Sequence, residues 1–261
     1  MIQFLKESTF AVNEVFFKSL KLLKSHYFSV AGLCLLLFIT SNASTTLAEY
    51  LRHYNVFVSA LFALVFTVIY FGVNLTLFKY VMLIFDGKKE LKLSSAIPTT
   101  KDLSFFFGAM LIIVIISLTL LVLMAVICWP FIYVGGDIGV VSSIAVFISF
   151  VLTAIFIIRV AFYPFFIIDR HCNSFQSIRL SFAMTRGNVT KLILIILTFG
   201  LLHVAQAFAN FSGNLYLGVF ISIVNSFLIV PLSSIVVTVA YRDMMSTYQG
   251  GDNPEYLKNI I

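Results

Sequence analysis

Between Ser104 and Tyr133 the chain carries no Asp, Glu, Lys or Arg, and between Gly139 and Ile168 it carries only Arg159. Each run exceeds the roughly 20 apolar residues that a helix needs to cross the hydrocarbon of a bilayer. Neither is an isolated feature. Of the 261 residues, 61% are hydrophobic and 11% charged, with a mean hydropathy of +1.05. A soluble domain is about 25% charged, so a chain this apolar has too little polar surface to face water on every side. The reading is an all-α, polytopic membrane protein.

Apolar runs and polar breaks predict six spans, at about 27–48, 56–85, 104–133, 139–168, 189–209 and 215–240, in one membrane domain over 1–248 with a short tail at 249–261. Residues 3–25 are too polar to span. Phe4, Leu5, Val12, Phe16, Leu20 and Leu23 recur at helical spacing with Lys18, Lys21 and Lys24 between them, the pattern of an interfacial amphipathic helix. A second interfacial helix is expected over about 174–186. There Phe175, Ile178, Phe182 and Met184 or Thr185 trace one face, opposite Arg179 and Arg186, with Asn173 or Ser174 as N-cap and Gly187 as stop. Gly135 and Gly136 supply the tight reversal between the third and fourth spans.

Cations order these segments across the membrane. Lys6, Lys18, Lys21 and Lys24 precede the first span, and Lys88, Lys89, Lys92 and Lys101 separate the second from the third. Arg170, Arg179, Arg186 and Lys191 separate the fourth from the fifth, and Arg242 and Lys258 follow the sixth. The opposite loops hold Arg52 alone. This is a positive-inside distribution with both termini cytoplasmic. It gives the net charge of +6 a topological meaning and removes the need for a nucleic-acid partner. Anionic headgroups at the cytoplasmic face are the expected partners of Lys18, Lys21, Lys24, Arg179 and Arg186.

A repeat underlies the layout: amphipathic segments precede the first and fifth spans, and a weaker one, interrupted by Pro98, precedes the third. Three hairpin units follow, at about 1–86, 87–169 and 170–248. Each ends on a span with a cation near its inner end, Lys79, Arg159 or Arg242, and an aspartate beyond it, Asp86, Asp169 or Asp243.

Lys79 and Arg159 interrupt apolar runs about 10–15 Å of helix from the nearest boundary, at 1.5 Å per residue. Two readings stand for each: an intramembrane substrate or ion site, or a snorkelling side chain whose stem lies in lipid. Asn74 and Asn225 are the polar residues that would share a site with them. Pro130 and Pro164 are hinge candidates, because proline removes a backbone donor and clashes with the preceding turn. Pro231 interrupts the sixth span in the same way.

No motif for chemistry stands out. Walker A, GxSxG and HExxH patterns are missing, and no segment pairs two carboxylates for acid–base work. His171 and Cys172 adjoin without an orienting partner in sequence, and read as a surface loop. Cys34, Cys128 and Cys172 have no metal-ligand spacing, so neither a cofactor nor a metal is expected.

The stretch "YPFFIIDRHCNSFQSIRLSFAMTRGN" resembles a bacterial membrane family, the YciC-like and glycerophosphoryl diester phosphodiesterase membrane-domain groups. The matching positions are Pro164, Asp169, Ser177, Ser181, Thr185 and Gly187. The six-span layout and basic amphipathic start extend the resemblance over nearly the whole chain. It implies a multi-pass protein of the bacterial inner membrane. In the second group the phosphodiesterase activity belongs to a separate soluble domain, and nothing in this sequence resembles that domain. The expected function is non-enzymatic: a scaffold or accessory subunit in envelope or membrane-complex assembly, with a membrane-protein partner or a second copy of itself. The alternative is a permease or channel for a small solute, with an anion as one candidate.

Overall fold

A computed structural model of the chain describes residues 10–87, 93–134, 137–211 and 215–247. Lys88, Lys89, Lys92, the Gly135–Gly136 turn, residues 3–9 and the tail at 249–261 lie outside the described residues. Every element among the described residues is helical, and no strand occurs. Five helices are long and apolar enough to cross a membrane, or six if the broken pair Ser174–Met184 and Val189–Leu201 is counted as one. The chain is an all-α polytopic membrane protein. It divides into two compact units, one from Met1–Thr99 with Thr190–Asp252, the other centred on Thr100–Val189. That division does not follow the repeat boundaries expected after residues 86 and 169.

The first unit is built on α1 (Val12–Arg52) and α2 (Val56–Phe85), joined by a turn in which the Asn55 side chain accepts hydrogen bonds from Phe57 N and Val58 N. The expected interfacial helix and first span are one continuous element, broken only at His26, whose φ of −125° and ψ of 23° leave the helical region. Ser25 Oγ donates to Leu22 O at 3.0 Å. That hydroxyl competes for a carbonyl the helix itself would use, a recognised cause of bending.

The buried face of α1 before the kink is Val15, Ser19 and Leu23, whereas Phe17, Leu20 and Phe28 are exposed. Leu20 therefore faces away from the protein, contrary to the face expected from spacing alone. It shares its side with exposed Lys21 and Lys24, since positions 17, 20, 21, 24 and 28 fall on one stripe of a helix.

After a 3-10 turn at Leu93–Ala96, this unit resumes with α7 (Val189–Phe211), α8 (Leu215–Val224) and α9 (Val230–Thr247). α9 packs on α1 and α2, burying Ile235, Val236, Val239, Ala240, Tyr241 and Met244. Between α8 and α9 lies a π-helical segment, Asn225–Ile229. Pro231 accounts for it, since its ring cannot donate to the carbonyl four residues earlier and pushes it aside. That carbonyl is Phe227 O, and the Tyr27 hydroxyl of α1 donates to it at 3.2 Å.

The second unit comprises α3 (Thr100–Tyr133), α4 (Ile138–Val160), α5 (Tyr163–Arg170) and α6 (Ser174–Met184). α3 and α4 form a hairpin whose outer surface is apolar and exposed: Leu118, Val122, Val126, Val146, Phe147 and Phe150 are among its residues. Asp137 caps α4, its carboxylate accepting from Gly139 N and Val140 N. Pro130 lies inside α3. Pro164 occupies the first turn of α5, a position where a missing N–H costs nothing, so it begins a helix rather than bending one.

Candidate functional site

Helix α6 places the site. Its two ends are fixed locally: the Asn173 side chain accepts from Gln176 N at 3.0 Å, and Gly187 turns the chain with a φ of +88°. Its buried side is Ser177, Ile178, Ser181, Met184 and Thr185, while Phe175 is 65% exposed. Of the face expected from periodicity, Ile178, Met184 and Thr185 are buried and Phe175 is not. Ser177 and Ser181 are buried beside them, and their small side chains allow close approach. Ser174 Oγ donates to Phe105 O of α3 at 2.7 Å, and a β-carbon added to Gly108 would meet that oxygen at 2.6 Å. Gly108 is therefore the gap into which α6 fits.

Arg159 stands in the last turn of α4, one residue before its end, rather than within a helix that continues to 168. A helix leaves its last four carbonyls without intrahelical donors, and Arg159 O is one of them. Ser181 Oγ donates to it at 2.9 Å, and the single Thr185 hydroxyl proton is shared between it at 3.0 Å and Ser181 O at 2.8 Å. Ser181 Oγ also accepts from Phe162 N at 3.1 Å, so one hydroxyl satisfies both a carbonyl ending α4 and an amide opening α5. In return the Arg159 side chain serves the end of α6. Its Nη2 donates to Phe182 O at 3.0 Å, and its guanidinium lies 4.2 Å from the centre of the Phe182 ring. Two helix ends thus complete each other's hydrogen bonding. No acceptor among the described residues reaches Arg159 Nε, which is buried. The charge of Arg186 acts on Arg159 repulsively, and neither arginine pairs with a carboxylate among the described residues.

The residues expected at an intramembrane polar site are divided between the two units. Arg159 belongs to the second unit, and Lys79, Asn74 and Asn225 to the first. Lys79 is half-buried in α2, and Asn74 Oδ1 is buried without a hydrogen-bond partner among the described residues. Asn225 lies in the π-helical segment, which packs on α1. Two clefts of about 460 and 420 Å³ are lined, respectively, by α4 residues Ser142 to Phe150 and by Phe28, Gly32, Leu36, Tyr80 and Leu93. None of the four polar residues lines either. The side chains of His203 and Gln206 lie outside the described residues.

The cations are used unevenly. Lys18 is held 2.8 Å from Asp243, Arg242 is 2.6 Å from Asp86, and Lys191 donates to Phe10 O at 2.7 Å. Lys18 thus closes α1 onto α9 instead of pointing freely at headgroups. Exposed pairs of this kind contribute little, about 0–1 kcal/mol each, so they set register more than stability. Lys21, Lys24 and Arg186 are exposed, and Arg179 is half-buried with a partner.

His171 has the orienting partner that the sequence did not reveal. It lies 69 positions away: Asp102 Oδ1, 3.0 Å from His171 Nδ1 and only 2% exposed. His171 ends α5 in the left-handed region at φ 52°, a conformation rare for non-glycine residues. Burial pushes the neighbouring Cys172 thiol above its ordinary pKa, with Arg170 pulling it down and Asp169 pushing it up. Because the thiolate is the nucleophile, alkylation of Cys172 should be slow at neutral pH. In a chain with Cys34 and Cys128 replaced by alanine, the iodoacetamide rate should still be climbing with pH where that of glutathione has levelled off.

Fold and site together define the class: a multi-pass α-helical membrane protein whose second unit is locked by a reciprocal helix-end joint. Comparison with protein-family models, curated proteins and solved structures yields no match.

Proposed function

We propose that the protein is a non-enzymatic scaffold or accessory subunit of a bacterial cytoplasmic-membrane complex, multi-pass with both termini cytoplasmic. The observation that carries this reading is the joint at Arg159. The most conspicuous intramembrane cation is turned onto a carbonyl and a ring of its own chain, as expected of a part that holds helices in a fixed arrangement. The exposed apolar hairpin of α3 and α4 supplies area for lipid and for a membrane-protein partner or second copy. The resemblance to the YciC-like group and the positive-inside charge distribution support the compartment.

Purification from native membranes in a mild detergent tests the reading, with co-purifying proteins identified by mass spectrometry. A partner in fixed stoichiometry, or a homo-oligomer, is the expected result. Arg159→Leu should lower the amount of folded protein, by removing a bond worth about 1–2 kcal/mol, yet leave partner recovery per folded molecule unchanged. The rival reading is a permease or channel for a small anion. It takes over if reconstituted vesicles accumulate such a solute and Arg159→Leu abolishes uptake at normal membrane levels.

A further inference from the structure

We infer that Arg159 and Arg186 form a binding site for a phosphate-bearing anion at the end of α4, of the kind a phospholipid headgroup presents. The inference deepens the expectation of headgroup contacts at this face and rests on the reading of the chain as a membrane protein. Arg186 directly follows Thr185, whose hydroxyl lies 3.0 Å from Arg159 O, so the two arginines flank one joint, and no carboxylate pairs with either among the described residues. Arg159 is half-buried and Arg186 exposed, and like charges on neighbouring groups disfavour one another unless a counter-ion sits with them.

The donors are also in place. Arg159 uses Nη2 and its ring contact on Phe182, which fixes the guanidinium plane, while Nη1 has no acceptor among the described residues. A guanidinium fixed in this way is pre-organised for the forked recognition of phosphate oxygens. Arg186, just past the end of α6 and exposed, supplies a second set of donors. The neighbouring wall is apolar, since Phe156 packs on Phe182 with ring centres 5.8 Å apart. A diacyl chain could lie along that wall while its phosphate meets the arginines. A free phosphate would use the arginines alone.

The test is thermal unfolding of the full chain in a neutral detergent, titrated separately with short-chain phosphatidylglycerol, short-chain phosphatidylcholine and inorganic phosphate. Phosphatidylglycerol should raise the midpoint saturably, and Arg186→Gln should weaken its apparent affinity about tenfold, the size expected for loss of a charge-assisted contact. Arg186 makes none of the joint's hydrogen bonds, so this variant should fold. Arg52→Gln removes the same unit of charge elsewhere and should leave the titration unchanged.

Stabilisation by inorganic phosphate, lost in Arg186→Gln, would support the anion site and assign it a soluble ligand. Equal stabilisation by phosphatidylcholine, or an unchanged titration in Arg186→Gln, overturns the site. Either of those results leaves the scaffold reading untouched, because partner recovery from native membranes judges it separately.

Discussion

Ser181→Ala is expected to destabilise the protein by about 2–3 kcal/mol, far beyond the usual effect of removing one hydroxyl. The substitution leaves Phe162 N without its acceptor and removes one of the two donors to Arg159 O. Ser181 is fully buried, so water cannot replace either bond, and an orphaned buried backbone group costs about 1–3 kcal/mol. Thr185→Val alone should cost less, because Ser181 still serves the carbonyl that both share. The double variant should exceed the sum of the two, since Arg159 O then loses both donors. Reversible unfolding in mixed micelles measures all three, and additive losses would mean that the hydroxyls do not act on a common carbonyl. Near-UV circular dichroism should change along with stability, because the Phe182 ring and the Arg159 guanidinium are held by the same joint.

The second large effect belongs to the first unit. Tyr241→Ala should cost about 3–5 kcal/mol, the range for deleting a large buried aromatic side chain. Tyr241 is among the largest fully buried side chains of the protein, on the α9 face that meets α1 and α2. Its removal opens a cavity where three helices converge, and its neighbours Ala240 and Val239, also fully buried, are too short to fill it. Tyr241→Phe separates the hydroxyl from the ring and should retain most of the stability. A loss in Tyr241→Phe as large as in Tyr241→Ala would assign the role to the hydroxyl and not to packing.

Much of the local structure was legible from residue order. Asn173 was readable as an N-cap and caps the helix that follows; Asn55 and Asp137, which were not singled out from residue order, do the same. Lys18 was legible as a charge on an amphipathic segment, but its closure onto Asp243, 225 positions away, was not. Pro164 and Pro231 were visible as interruptions. Their consequences differ, one opening a helix and the other producing a π segment, because the outcome depends on where the displaced carbonyl finds a donor. For Pro231 that donor is Tyr27, on a helix 200 residues away.

The candidate site divides along the same line. Arg159 was conspicuous as the lone charge in a long apolar run, whereas Ser181 and Thr185 were not assigned to it. Serine and threonine are indifferent to burial until a partner is specified: exposed they hydrogen-bond to water, and buried they need a carbonyl or an amide. Periodicity therefore grouped Phe175 with Ile178 and Met184, but the buried side is turned toward Ser177 and Ser181, where the Ser181 hydroxyl meets the orphan carbonyl of Arg159, and this leaves Phe175 outside. The same holds for His171, whose partner Asp102 opens a different helix.

What residue order determined by itself is the helical, membrane-spanning character of the chain, because burial in lipid depends on composition summed over twenty residues. What only the tertiary structure decided is which polar groups meet, because a hydrogen bond between helices depends on where two chain segments end in space.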